Sequence, residues 1–314
     1  MAEALTFDTG QLEVGDGHVL HYEQIGQPDG APVVYLHGGP GSGCSASARW
    51  LFDGDRHRAV MLDQRAAGRS TPSAADEDVD WNSIDLDHHL RDLEQLRTEL
   101  GIERWGVIGL SWGTALGTAY AQRHPERVSA LVLGAVSMGG RRAIDWITVE
   151  MGRHFPEEWA RFREHVPPGL RDRRLVEAYN ELVMDPDPRL HVDAALEWCR
   201  WEDRHVAIGA VDPDPRYDDA RFRLAFARQV THAWRHDCWL ADGELLDGAS
   251  RLHGIPGALI HGRMDISSPL DDAWHLHRAW PGSALDVIES DGHGGAGLFG
   301  TCKRALAELL EHAR

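Results

Sequence analysis

Short, mainly apolar runs alternate along the chain with stretches in which apolar residues recur every three or four positions. Residues 32–36, 58–62, 105–109, 128–133, 257–261 and 284–288 are runs of the first kind. Runs of that length, rich in Val, Ile and Leu and bounded by Gly, Pro or Asp, predict strands buried on both faces. Leu86, Leu90, Leu93, Leu96 and Leu100 keep helical spacing, and Gly101 stands where a glycine C-cap belongs. Residues 114–124 are mostly small and apolar, and predict a helix stopped by Pro125. Residues 11–14 and 18–22 flank Gly15-Asp16-Gly17, a hairpin signal, and residues 302–312 predict a closing helix. Strands and helices taken in alternation predict a mostly parallel sheet with helices on both faces.

The strand pattern stops near Met138 and returns only after Gly243. In between, helical fragments are punctuated by Pro156, Pro167, Pro168, Pro186, Pro188, Pro213 and Pro215, and six of the 12 tryptophans fall there. This predicts a helical cap at 138–243 inserted into a core built from 1–137 and 244–314. A formal net charge of −18 argues against a general binder of nucleic acid or of anionic membranes, since both need a positive field. The four cysteines, Cys44, Cys199, Cys238 and Cys302, form no C-x-x-C pair and read as reduced thiols. The first eight residues carry neither a basic segment nor an apolar one, and no run of about 18 apolar residues follows. The expectation is a cytoplasmic protein without a signal peptide or membrane span.

The strongest chemical signal is Gly109-Leu110-Ser111-Trp112-Gly113, which fits G-x-S-x-G between a predicted strand and a predicted helix. A sharp turn there lifts the serine hydroxyl above the sheet and sets the Trp112 N–H beside a developing oxyanion. A serine needs a base to take its proton, and the base needs an orienting acid. In this topology the order along the chain is Ser, then Asp or Glu, then His. Asp265 ends one downstream strand and His293 follows the next, so Ser111, Asp265 and His293 are the expected triad. Asp291 is the rival acid, but stands too near His293 in sequence. Glycine lets a backbone N–H approach a ligand closely, so His37-Gly38-Gly39-Pro40-Gly41 is the expected source of a second oxyanion donor. Gly39 is the expected donor, and Gly38 beside it is expected to line the substrate site.

His232, His236 and Cys238, or His275 and His277, lack the spacing of a metal site, and the 37–43 loop lacks the G-K-[ST] ending of a phosphate loop. Neither a metal nor a cofactor is expected.

The set HGGPG (37–41), DQRAAGRS (63–70), GLSWG (109–113), HPERVSALVL (124–133), HGRMD (261–265) and DGHG (291–294) resembles the prolyl aminopeptidase (proline iminopeptidase) family of α/β-hydrolases. The likeness runs into the cap at residues 142–146, 155–159 and 195–202. It implies an α/β-hydrolase fold, the triad above, and release of an N-terminal residue, preferentially proline, from small peptides. It also implies that Glu202 holds the substrate's free amine. A terminal amine has a pKa of about 7.7–8.0, so much of it is cationic near neutrality and suits a carboxylate partner. Cap tryptophans are expected around a pyrrolidine-sized pocket.

Three positions depart from the family pattern. Val230 stands where a second amine-binding glutamate is expected, with Asp203 and Asp237 as the nearby carboxylates. Ala66 replaces a loop glycine, and Gly294 replaces a serine after the histidine. The Val230 change motivates an alternative substrate, an amine-blocked amide or an ester. A binding protein on the same fold would have no need of all three triad residues.

Overall fold

The computed structural model describes residues 4–208 and 214–312; Pro213 and the first three residues of the N-terminal stretch lie outside them. Eight strands form one sheet: β1 (Thr6–Gly15), β2 (His18–Gly26), β3 (Ala31–Leu36), β4 (His57–Leu62), β5 (Trp105–Leu110), β6 (Val128–Gly134), β7 (Gly257–Gly262) and β8 (Ser283–Ile288). Their order is β1-β2-β4-β3-β5-β6-β7-β8. β1 and β2 are antiparallel, β2 meets β4 antiparallel, and the pairings from β4 through β8 are parallel. This is the fold of an α/β hydrolase.

The apolar runs are continuous because both faces of the central strands are covered. In β3, Val34 and Leu36 join one core cluster while Val33 and Tyr35 join the other. The first face packs against α1 (Leu86–Glu99), α2 (Trp112–Arg123) and α9 (Leu270–Ala279), and the second against α10 (Ala296–His312). Gly101, at φ +64°, closes α1 as its position in the sequence predicts.

Boundaries differ from expectation where packing, rather than pattern, decides them. β1 begins five residues earlier than its alternation suggests, because Thr6–Gly10 is an exposed edge held by its ladder to β2. α2 begins at Trp112, two residues early, since Ser111 itself occupies the turn. α10 begins at Ala296, not residue 302; the Asp291 carboxylate accepts the Leu298 N–H at 2.7 Å and stabilises a start that its glycines would disfavour.

Between β6 and β7 the chain runs through α3 (Gly140–Thr148), α4 (Pro156–His165), α5 (Leu175–Met184), α6 (Pro188–Val206), α7 (Ala220–Arg235) and the short α8 (Glu244–Asp247). α6 packs against α4, α5 and α7. Aromatic rings fill that contact: Phe162 stacks on Tyr179 at 4.3 Å and on Trp201 at 5.4 Å, and Trp198 meets Trp234 edge-on at 5.6 Å. Trp198 and Trp201 are therefore helix-packing residues. No helix among the described residues is long and apolar enough to cross a membrane.

Candidate active site

β5 delivers Ser111 at its carboxyl end, and the turn that follows is tight. Ser111 sits at φ +54°, ψ −123°, a strained backbone for a residue with a Cβ. The strain is held by its surroundings. The Ser111 N–H donates to the Gly134 carbonyl on β6 at 3.0 Å, and the Thr114 N–H donates back to the Ser111 carbonyl at 2.7 Å. The glycines of the motif are required by contact: a Cβ on Gly109 would stand 2.1 Å from the Gly113 carbonyl, and one on Gly113 would stand 2.0 Å from the Leu36 carbonyl.

The loops after β7 and β8 bring the other two residues in. The Met264 N–H donates to the Asp291 carbonyl at 3.0 Å and the Arg263 N–H to the Ile288 carbonyl at 2.9 Å, so the loops are tied backbone to backbone. His293 Nδ1 lies 2.9 Å from Asp265 Oδ2 and 3.1 Å from Oδ1, and its Nε2 lies 2.9 Å from Ser111 Oγ. A carboxylate can only accept, so Nδ1 carries the proton and Nε2 of the neutral ring faces the serine hydroxyl. Asp291 is directed elsewhere, to Ser290 and the start of α10.

The electrostatics follow from burial and pairing. Burial alone would lower the His293 pKa, but the Asp265 carboxylate, with a smaller push from Glu202, holds it above the ordinary imidazole value of 6.5. Burial alone would raise the Asp265 pKa; His293, His261 and the Ser268 N–H bring it below the ordinary carboxylate value. His261 is neutral by the same logic, since burial lowers its pKa. Its Nδ1 accepts the Val136 N–H at 3.0 Å, and Nε2 donates to the Ser268 carbonyl at 2.7 Å.

Facing the serine is the 37–41 loop. A Cβ on Gly38 would lie 3.1 Å from Ser111 Cβ, so the loop passes in contact with the serine side chain. Gly39 has φ +107°, a conformation that glycine adopts readily. Gln64, from the DQRAAGRS motif, braces this region. Its backbone N–H donates to His37 Nε2 at 3.1 Å, its amide donates to the His37 carbonyl at 3.1 Å, and its Oε1 accepts from Trp112 Nε1 at 3.0 Å. The Trp112 backbone N–H, in the first turn of α2, has no intrahelical carbonyl to bind. Ala66 keeps the left-handed backbone, φ +57°, that the replaced glycine would supply.

Ser111, Trp112, Gly39 and His293 line a cavity whose other walls include Ile144, Ile147, Trp234, Glu202 and His205. A wider cleft, with Gly38 in its wall, shares Ser111, Gly39, Glu202, Val206 and His293 with it. Glu202 Oε2 is buried without a hydrogen-bond partner among the described residues. Val230 is fully buried on α7, Asp237 pairs with Arg174 at 2.9 Å, and Asp203 accepts the Asp214 N–H. Sequence reasoning passed over Gln64 and His205. His205 stands three residues after Glu202 on one helix, a spacing that places both on one face.

Comparison with known proteins agrees with the fold. Residues 31–296 match the α/β hydrolase fold family. The chain is 44% identical to a probable proline iminopeptidase of Streptomyces coelicolor, over 98% of this chain and 96% of that protein. It is 40% identical to a proline iminopeptidase of Xylella fastidiosa, over 93% and 92% of the two chains. The crystal structure of a Mycobacterium smegmatis proline iminopeptidase superposes with a TM-score of 0.67 at 21% identity, covering 98% of this chain and all of that one. The chain belongs to the proline iminopeptidase family of α/β hydrolases.

Proposed function

We propose that this protein is a serine aminopeptidase that releases an N-terminal residue, preferentially proline, from small peptides through an acyl-enzyme. The observation that carries the reading is the buried Glu202 Oε2, without a hydrogen-bond partner among the described residues, in the same cavity as Ser111. A cationic amine there gains a charge-assisted hydrogen bond, and its carbonyl carbon is then presented to the serine. The relatives' names point the same way. In this reading the terminal residue faces Ser111 and Glu202, and the rest of the peptide lies along the wider cleft.

The chemistry runs through residues at hydrogen-bond distance. His293 Nε2 takes the Ser111 hydroxyl proton as Oγ attacks the carbonyl carbon. Asp265 stabilises the imidazolium and keeps its orientation. The backbone N–H groups of Gly39 and Trp112 receive the oxyanion. As the carbonyl re-forms, His293 gives its proton to the departing amine. Water, deprotonated by the same nitrogen, then releases the acyl group and restores Ser111. None of these steps calls for a cofactor. The free thiols suit a reducing compartment, and we place the enzyme in the cytoplasm.

Val230 favours a second reading, an amidase or esterase whose substrate lacks a free amine. Hydrolysis of L-proline p-nitroanilide and of its N-acetyl derivative separates the two, with Ser111→Ala as blank. Ser111-dependent turnover of the free-amine substrate alone supports the aminopeptidase. Turnover of the acetylated one overturns it.

A further inference from the structure

The Glu202 carboxylate does not stand alone in the cavity wall. His205 is on the same helix, almost wholly buried, and its Nε2 also lacks a hydrogen-bond partner among the described residues. The two unpartnered atoms, Glu202 Oε2 and His205 Nε2, are 3.4 Å apart.

The far side of the imidazole bears on what Nε2 can do. His205 Nδ1 is 2.8 Å from Ser267 Oγ, and the Ser267 hydroxyl lies 3.1 Å from the His205 backbone carbonyl, to which it can donate. With its one proton on that carbonyl, the hydroxyl acts as an acceptor toward the ring, and Nδ1 carries the hydrogen of this bond. In the neutral ring Nε2 is then a bare lone pair, facing a carboxylate oxygen across 3.4 Å. Two acceptors facing each other in a buried site, neither reached by another donor, leave a place for a group that brings protons. A single nitrogen can bridge atoms at that separation.

We propose that His205 Nε2 and Glu202 Oε2 together form a two-acceptor clamp for the ammonium group of the substrate, with His205 supplying the second acceptor. This rests on the reading that a free-amine substrate enters the cavity. The clamp offers two acceptors, the number of N–H donors on a cyclic secondary ammonium such as an N-terminal proline. It also explains how one carboxylate suffices: Val230 on α7 offers no acceptor, and the second comes from one turn further along α6. Ser267 acts as a positioning residue, because it selects the tautomer without lining up with the substrate's reacting carbon.

Calorimetric titration of L-prolinamide and of cyclopentanecarboxamide, its analogue without the amine, into Ser111→Ala protein tests the clamp. The expected result is that prolinamide binds tighter by about tenfold or more, the scale of one hydrogen bond to a charged group. Adding His205→Phe removes that preference and leaves the analogue's affinity unchanged; His205→Gln, which keeps an acceptor, restores part of it. Circular dichroism and thermal unfolding of His205→Phe report whether the protein is still folded. The proposal is overturned if the parent shows no preference, if the preference survives His205→Phe, or if both ligands weaken together. It is also overturned if prolinamide binds more tightly after His205→Phe, since the ring would then have been an imidazolium occupying Glu202. Failure of the aminopeptidase reading looks different: L-proline p-nitroanilide is not cleaved by the parent enzyme, whatever the binding data show.

Discussion

Replacing Asp265 with Asn exchanges one oxygen for an NH₂ group and should nearly abolish turnover, for a reason visible in the hydrogen-bond pattern. Asp265 Oδ1 accepts the Ser268 N–H at 3.0 Å, so the amide oxygen of the substituted side chain takes that side. The NH₂ group then occupies the position of Oδ2, which lies 2.9 Å from His293 Nδ1. Two donors cannot share that contact. The imidazole answers by moving its proton to Nε2, which turns a donor toward Ser111 Oγ, 2.9 Å away, where the reaction needs an acceptor. A wrong-tautomer triad of this kind loses about 10⁴-fold in kcat, or about 5 kcal/mol of transition-state stabilisation. The pH profile carries a second, independent reading. His293 must be neutral to act as base, and its pKa lies above 6.5 because Asp265 outweighs the effect of burial. The acid limb of kcat/KM in the parent therefore has its midpoint above 6.5, and activity rises with pH through it. In Asp265→Asn the charge is gone, burial remains, and any residual activity shows an acid limb displaced to lower pH. Steady-state rates on L-proline p-nitroanilide from about pH 5 to 9, spanning the imidazole range, with circular dichroism and Tm to establish folding, give both readings. A folded variant that keeps activity within about tenfold of the parent, or an acid limb that does not move, refutes the reasoning.

Three further substitutions probe other parts of the site and its frame. Glu202→Gln keeps shape but removes the charge, and should raise KM for L-proline p-nitroanilide by roughly 10–100-fold with a smaller change in kcat, the cost of a charged hydrogen bond; an unchanged KM would remove Glu202 from amine recognition. Gly38→Ala places a methyl 3.1 Å from Ser111 Cβ and 3.2 Å from the Leu110 carbonyl, so kcat should fall by about tenfold or more as the serine or the loop shifts from its reacting geometry. Fluorophosphonate labelling of Ser111 should slow in parallel. Arg65 is fully buried and holds Asp92 at 2.7 and 2.9 Å while donating to the Ser83 and Val14 carbonyls. Arg65→Ala strands a buried carboxylate, and urea unfolding should show a loss of about 3–5 kcal/mol.

Much of the fold is readable in one dimension because its strands are buried on both faces. The run at 105–109 needs no partner to be recognised, since a double-sided burial leaves no polar position to interrupt it. The serine turn is legible for a related reason: Gly109 and Gly113 are demanded by close backbone contacts at the turn, so their spacing survives as a motif. The edge strand β1 and the first turn of α10 are not legible. Thr6–Gly10 is largely polar and is held by its ladder to β2, while the start of α10 rests on the Asp291 carboxylate, which precedes the helix.

The site divides along the same line. Chain order and strand ends single out Ser111, Asp265 and His293, and the structure sets each within 3.1 Å of the next along the relay. Gln64 lies in the DQRAAGRS motif, which does not reveal its role, and His205 carries no mark in the sequence. Gln64 matters because His37 and Trp112 stand on either side of it, and both come from other segments. His205 matters because Ser267, 62 residues away, takes its Nδ1 hydrogen and leaves Nε2 bare beside Glu202. Sequence alone determined the central buried strands and the tight serine turn, because sterics and hydrophobic periodicity act between near neighbours. Tertiary structure alone decided which polar atoms remain unpaired in the cavity, because a hydrogen bond is settled only when distant segments have closed around it.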